Sequence, residues 1–326
     1  MYFGSVRFFK NLILLCVIIL IAVPTVLAIH FGTAPEREAK KVAELTAEVK
    51  QLQQQVEELE ESRATQQPTV PPQEDIPDVP VVKEPEVEQP PTFTAEAPAY
   101  QSLYPDFYAP EPIGEMVRTD GVIYLTFDDG PTQNTDKVLK VLAENDIKAT
   151  FFMNGTSSEA DFQRMKDIVA QGHTLGMHSY THDYDLIYDS VENYLDDMYQ
   201  LFVLIRDVTG EAPTCFRFPG GSINSYNRGI YQELIAEMLR RGFVPYDWNI
   251  SAQDATSRPL DVDTVIDNVL SSAEGKSRGI VLMHDGASQA STAQALDTII
   301  DRLREKGYRF DRIQPDTMPV LLGYLQ

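Results

Sequence analysis

Cysteine is nearly absent, with two in 326 residues, Cys16 inside an apolar run and Cys215 far downstream. That spacing excludes a disulfide scaffold, and Cys215 reads as a small buried hydrophobe. Basic residues are also scarce: 27 Lys and Arg stand against 49 Asp and Glu, a net charge of −22. Nucleic-acid binding selects for basic patches, so that class of partner is excluded. Histidine occurs only five times. No internal repeat is evident, which excludes a solenoid or propeller.

The N-terminus carries Arg7 and Lys10, followed by 18 uncharged residues, 11–28. That length suits a transmembrane helix, and the preceding basic residues put its N-terminus in the cytoplasm. A cleaved signal peptide is the rival, because Val26-Leu27-Ala28 resembles a small-residue cleavage site. Either way, everything after residue 31 lies outside the cytoplasm: a single-pass cell-membrane protein facing the wall, or a secreted one. Val42, Leu45, Val49, Leu52, Val56 and Leu59 then repeat with spacings of 3, 4, 3, 4 and 3. This is a short heptad seam that would form a parallel homodimer through residues 42–59, or else a single solvated helix. An acidic, Pro-rich stretch follows and reads as an extended spacer, whose last aromatics, Tyr100, Tyr104, Phe107 and Tyr108, can pack on the domain beyond. The expected organisation is thus 1–32 cytoplasmic stub and anchor, 33–66 coiled coil, 67–115 linker and 116–326 catalytic domain.

In the last of these, apolar runs alternate with amphipathic ones. Strands are predicted at 122–127, 149–153, 174–178, 214–218, 243–248, 279–284 and 308–312. Helices are predicted near 134–145, 159–171, 189–208, 228–241, 261–273 and 291–306. This order implies a parallel sheet with helices outside: an α/β fold, a distorted (β/α)7-type barrel, with an open doubly wound sheet as the alternative.

Ligands of such folds bind beyond the carboxyl ends of the strands, and the unusual residues gather there. Asp128-Asp129 end the first strand at a Gly130-Pro131 turn. Adjacent strand residues point to opposite faces, so both carboxylates share one cleft only if the strand is ending. His178-Ser179-Tyr180-Thr181-His182 end the third strand, with the histidines four apart on one helical face. One carboxylate with two imidazoles suits zinc or another borderline divalent ion. A plain Asp-Gly turn and two surface histidines are the structural alternatives. His173 lies on the opposite rim and reads as structural. Arg217-Phe218-Pro219-Gly220-Gly221, Asp247-Trp248 and Leu282-Met283-His284-Asp285 end three further strands.

Together these motifs, in this order across residues 120–312, resemble the polysaccharide deacetylases of carbohydrate esterase family 4. The resemblance implies a distorted β/α barrel and removal of N- or O-acetyl groups from polysaccharides. It further implies Asp129, His178 and His182 as ligands of one divalent metal, zinc or alternatively cobalt. Asp128 would be the general base, paired with Arg217, and His284 the general acid, supported by Asp247. Trp248 and Leu282 would wall the acetyl pocket, with an oxyanion-binding N–H near Gly220. One departure stands out: after Pro219, where the family often carries a large aromatic residue or an arginine, stands Gly220, followed by Gly221, so the groove wall there is expected to be barer.

The expected activity is deacetylation of N-acetylglucosamine units of peptidoglycan by an anchored enzyme. Alternatives are another acetylated glycan (N-acetylmuramic acid, chitin oligomers or acetylated xylan) or a catalytically silent wall-binding module. The intact Asp128, Asp129, His178, His182 and His284 speak against the last.

Overall fold

A computed structural model describes residues 97–322. The expected transmembrane helix and coiled coil lie outside the described residues. Within them no helix is long and apolar enough to cross a membrane.

Among the described residues eight strands run parallel: β1 (Val122–Asp128), β2 (Thr150–Asn154), β3 (Thr174–Ser179), β4 (Cys215–Phe216), β5 (Val244–Pro245), β6 (Ile250–Ser251), β7 (Gly279–His284) and β8 (Arg309–Asp311). Their order is β5-β4-β3-β2-β1-β7-β6. β7 pairs along β1 from Ile123 to Asp128, so β8 and β2 divide the other edge: β8 takes Val122 to Tyr124, and β2 takes Thr126 to Asp128. The result is a parallel half-barrel, open between β5 and β6. Residues 317–322 are held beside both open edges. On one side Tyr246 Oη donates to Thr317 O at 2.7 Å and Asp247 N to Val320 O at 2.8 Å. On the other, Arg278 donates to Met318 O.

All seven residues of β1 are buried, as both faces of a parallel strand must be when helices cover the sheet. The cover is α1 (Gln133–Glu144), α2 (Glu159–Ala170), the single turn α3 (Tyr184–Ile187), α4 (Val191–Thr209), α5 (Tyr231–Arg240), α6 (Val262–Ser272) and α7 (Ala290–Glu305). Local chemistry sets their ends. The Thr132 and Thr135 side chains form a reciprocal capping box at α1, and Ser190 caps α4, which stops at left-handed Gly210.

Strand alternation sorts the interior. Val122, Tyr124, Phe152, Cys215, Tyr246 and Ile280 pack together in one apolar cluster inside the half-barrel. Two and four residues further along the same faces come Thr126 and Asp128 on β1, Arg217 after β4, and Leu282 and His284 on β7. An apolar plug therefore gives way to a buried polar layer and then to a rim of ionisable groups.

The ordered domain reaches upstream of residue 116. Ala99–Ser102 form a 3₁₀ turn, and residues 103–109 lie along α4 and α5. Phe107 is fully buried against Phe202 and Phe243, and Tyr104 stacks on Tyr199 with ring centroids 4.4 Å apart. Buried Arg241, held by Glu237 at 2.7 Å, donates to the carbonyls of Tyr100, Leu103, Tyr104 and Phe107.

Candidate active site

Asp128 ends β1 in extended geometry, but Asp129 adopts a left-handed φ of 70°. That reversal breaks strand alternation and brings both carboxylates to the same side. His182 is left-handed too, at φ 54°. Such conformations cost about 1–3 kcal/mol each in non-glycine residues and persist only when surroundings enforce them. Here Asn154 Nδ2 donates to Asp129 Oδ1 at 3.1 Å, and His182 N donates to Ser179 Oγ at 2.8 Å. Gly130 is required next: a Cβ there would fall 2.6 Å from the carboxylate of Asp285.

Asp129, His178 and His182 bring one ligand atom each to within 4.8 Å of one another. Asp129 Oδ1 lies 3.2 Å from His182 Nε2 and 3.6 Å from His178 Nε2. His178 Nδ1 faces Arg217 O at 2.8 Å. A carbonyl only accepts, so Nδ1 carries the hydrogen and Nε2 turns a lone pair toward a carboxylate. Two acceptors facing each other call for a proton or a cation between them. Burial pulls the His178 pKa below its ordinary 6.5, against the pull of Asp128 and Asp129, which disfavours the proton. For Asp129, burial pushes the carboxyl up, but His178 and His182 outweigh it and hold the pKa below the ordinary value. This donor set fits a borderline divalent cation.

Beside it, Arg217 is fully buried. Its Nη1 donates to Asp128 Oδ1 at 2.8 Å and to Thr126 Oγ1 at 2.7 Å, and Nε donates to Tyr246 O at 2.7 Å. Asp128 Oδ1 is thereby engaged, while Oδ2 lies 3.9 Å from His178 Nε2 and faces the triad. On the neighbouring strand His284 is the register partner of Asp128.

The structure does not bring Asp247 to His284. Asp247 accepts from Ser222 N at 2.8 Å, from Ser222 Oγ, and from Leu322 N at 2.7 Å, so it braces the Gly220–Ser222 loop against the C-terminal tail. His284 Nδ1 is instead hydrogen-bonded to Asp254 Oδ1 at 2.8 Å, and Asp254 Oδ2 accepts from His284 N and Thr292 Oγ1. Burial alone would lower the His284 pKa, but the Asp254 hydrogen bond and charge overcome it and raise it to about 9. The chain after β5 leaves the rim at Asp247, forms β6, and returns with Asp254; the two-residue β6 is what places the acid.

Trp248 is half-buried beside Gly221, with the Arg217 guanidinium 5.8 Å from its ring centroid, and Leu282 shares the inward face of β7 with His284. Gly221 N donates to Phe218 O at 2.9 Å, whereas the exposed Gly220 N–H has no protein acceptor among the described residues. His173 is buried on the opposite rim, where its Nδ1 accepts from Ala149 N at 3.1 Å.

A family model described as polysaccharide deacetylase matches residues 116–239. A peptidoglycan-N-acetylglucosamine deacetylase from Bacillus cereus is 34% identical over 233 residues, spanning 68% of this chain and 82% of that protein. The chain belongs to the polysaccharide deacetylase family. Its members in carbohydrate esterase family 4 are hydrolases acting on amide bonds. The solved catalytic domain of a peptidoglycan N-acetylglucosamine deacetylase from Eubacterium rectale superposes with a TM-score of 0.60 at 34% identity, covering 64% of this chain and 96% of that one. A family 4 pseudoenzyme from Bacillus anthracis is similar at a TM-score of 0.50 and 26% identity, covering 63% of this chain and 68% of that one.

Beyond Asp254, two more buried carboxylates brace the rim: Asp197, which no strand-end motif contains, and Asp285, the last residue of the motif that carries His284. Asp197 of α4 accepts from Ser179 Oγ, Tyr180 N, Thr181 N and Thr181 Oγ1, all at 2.7–2.8 Å, and so pins the turn joining the two triad histidines. An acid on the apolar stripe formed by Tyr194, Met198 and Leu201 was its signal. Asp285 receives a hydrogen bond from Thr135 Oγ1 and ties its own N–H to Asp128 O at 3.0 Å. Burial raises its carboxyl to about 7.

Proposed function

We propose that this chain hydrolyses N-acetyl groups of cell-wall polysaccharide, those of N-acetylglucosamine in peptidoglycan, releasing acetate. The observation that carries this reading is the division of labour on one rim: a metal-competent triad, a carboxylate held at one oxygen by Arg217, and an imidazole held by Asp254 on the adjacent strand. Asp129, His178 and His182 would hold one divalent cation, zinc in this reading, whose Lewis acidity polarises the acetyl carbonyl and acidifies water.

With Oδ1 fixed by Arg217, Asp128 takes the proton of the attacking water on Oδ2. The water oxygen bonds the carbonyl carbon, and the exposed Gly220 N–H is suited to the oxyanion that develops. Protonated His284 passes its proton to the amide nitrogen as the C–N bond breaks. Acetate leaves, and a free amine remains on the sugar. Asp254 keeps His284 protonated at neutral pH, as an acid for a poor leaving group requires. The uncharged run at 11–28 and the acidic Pro-rich stretch support an anchored enzyme that reaches outward into the wall.

The test is acetate release by the full-length chain from peptidoglycan, chitin oligomers and acetylated xylan, with chelator and with zinc or cobalt restored. Peptidoglycan should be preferred and chelator should abolish release. Asp129→Ala should lose metal binding and activity together. Asp128→Asn should retain metal while turnover falls by about 10²–10⁴-fold, and undiminished release from it would remove Asp128 from the role of base.

A further inference from the structure

The groove wall beside the triad is not bare. Gly220, at φ 75°, leaves room that another residue fills: a Cβ there would lie 3.0 Å from Tyr184 Cε1 and 3.2 Å from its hydroxyl. Tyr184 comes from the turn just after His182. Its ring meets the His182 imidazole edge-on at 5.4 Å and meets Tyr226 edge-on at 5.1 Å. Tyr226 thus stands two ring-to-ring spacings from a triad histidine, and it is 54% exposed.

An exposed tyrosine by itself is ordinary, but this one sits on a locked loop. Asn224 Oδ1 accepts from Tyr226 N at 2.8 Å and from Asn227 N at 3.1 Å, while Asn227 Oδ1 accepts from Asn224 N at 2.8 Å. Asn227 is fully buried, with its amide turned to the carbonyls of Gly221 and Ser222. A rigid backbone presents the aromatic ring to solvent with little ordering cost left for a ligand to meet. Leu322, 46% exposed, lies beside the same wall, against Gly221.

We propose that Tyr226, backed by Tyr184, is a stacking platform for a sugar ring adjacent to the unit that loses its acetyl group. The proposal rests on the deacetylase reading for its choice of ligand. A β-linked N-acetylhexosamine ring presents an apolar C–H face with its hydroxyls at the edge. Such a face suits the electron-rich face of a phenol ring whose hydroxyl stays wet. The platform makes the site one for oligomers, because a monosaccharide bound at the triad does not reach it.

The probe is a β-1,4-linked tetramer of N-acetylglucosamine. With the full-length chain kept metal-free, calorimetric titration of Tyr226→Ala should show tetramer affinity about tenfold weaker than the parent. Tyr226→Phe, which keeps the ring, should stay near the parent. With metal restored, the tetramer-over-monosaccharide ratio of kcat/KM should fall by a similar factor in Tyr226→Ala, through KM. Unchanged tetramer affinity, an equal fall for both substrates, or a parent chain that does not bind the tetramer overturns the platform. The binding arm needs no turnover. A chain that binds the tetramer through Tyr226 yet releases no acetate from peptidoglycan, with metal restored, would overturn the proposed activity and leave the platform standing.

Discussion

Among single residues, the exchange of Asp247 for Asp254 as the partner of His284 has the largest chemical consequence. The two carboxylates bracket β6, and only Asp254 reaches the imidazole. His284 carries its proton up to about pH 9 because Asp254 outweighs burial. Activity that depends on a protonated His284 should therefore hold through neutral pH and fall as pH rises through about 9. Asp254→Asn removes the charge that does most to raise this pKa, while burial and the charges of Asp128 and Asp129 remain, so the alkaline limb of the kcat/KM profile should move down from about 9. Asp247→Asn should weaken the Gly220–Ser222 brace without moving that limb. Stability follows the same sign: a raised folded pKa stabilises fully below 6.5, and the contribution is lost as pH rises through about 9. A pH–rate profile of the parent and both variants checks the pairing. Sequence could not choose between the two acids because the choice depends on a two-residue strand that no periodicity announces. The triad was legible because Asp129, His178 and His182 lie at or just past the ends of long, regular strands, where position along the chain translates into position on the rim, while the choice of Asp129 over Asp128 came from the family resemblance.

The elements show the same division. β1, β3 and β7 are long apolar runs, and their ends were readable to within one residue. β4, β5 and β6 are two residues each and are held by neighbours more than by their own pattern. What positions the metal-side histidines is likewise an element-to-element contact, α4 onto the turn after β3. Asp197 gathers four donors from that turn, and His182 hangs from Ser179 Oγ, which Asp197 itself holds. Asp197→Ala leaves four buried or half-buried donors without their acceptor and frees the left-handed His182. Affinity for the metal should fall by about 10–100-fold, the usual effect of losing a group that orients a ligand. The check is zinc affinity by competition with a chromogenic chelator, alongside thermal melting. A fall in melting temperature with unchanged zinc affinity would reduce Asp197 to a purely structural brace.

Across the whole molecule, the upstream segment at 99–109 belongs to the catalytic unit. Its aromatics were visible in the sequence, but their burial depends on a surface built by α4, α5 and Phe243, far along the chain. Arg241 is the residue that makes the segment part of the fold. A buried guanidinium needs acceptors beyond its one carboxylate, and the carbonyls of Tyr100, Leu103, Tyr104 and Phe107 supply them. Cutting the chain at 116 would strip those acceptors and expose the seat of Phe107 at once. Phe107→Ala alone should lower stability by about 3–5 kcal/mol, as expected for emptying a fully buried aromatic site. A chain starting at residue 97 should melt like the full-length protein, whereas one starting at 116 should melt at a clearly lower temperature or fail to fold. Equal melting of the two would show that the segment merely rests on the domain. Phe107 and the triad share no contact, so Phe107→Ala should lose stability without changing the zinc affinity of the folded fraction. That separates the anchoring of the domain from its chemistry.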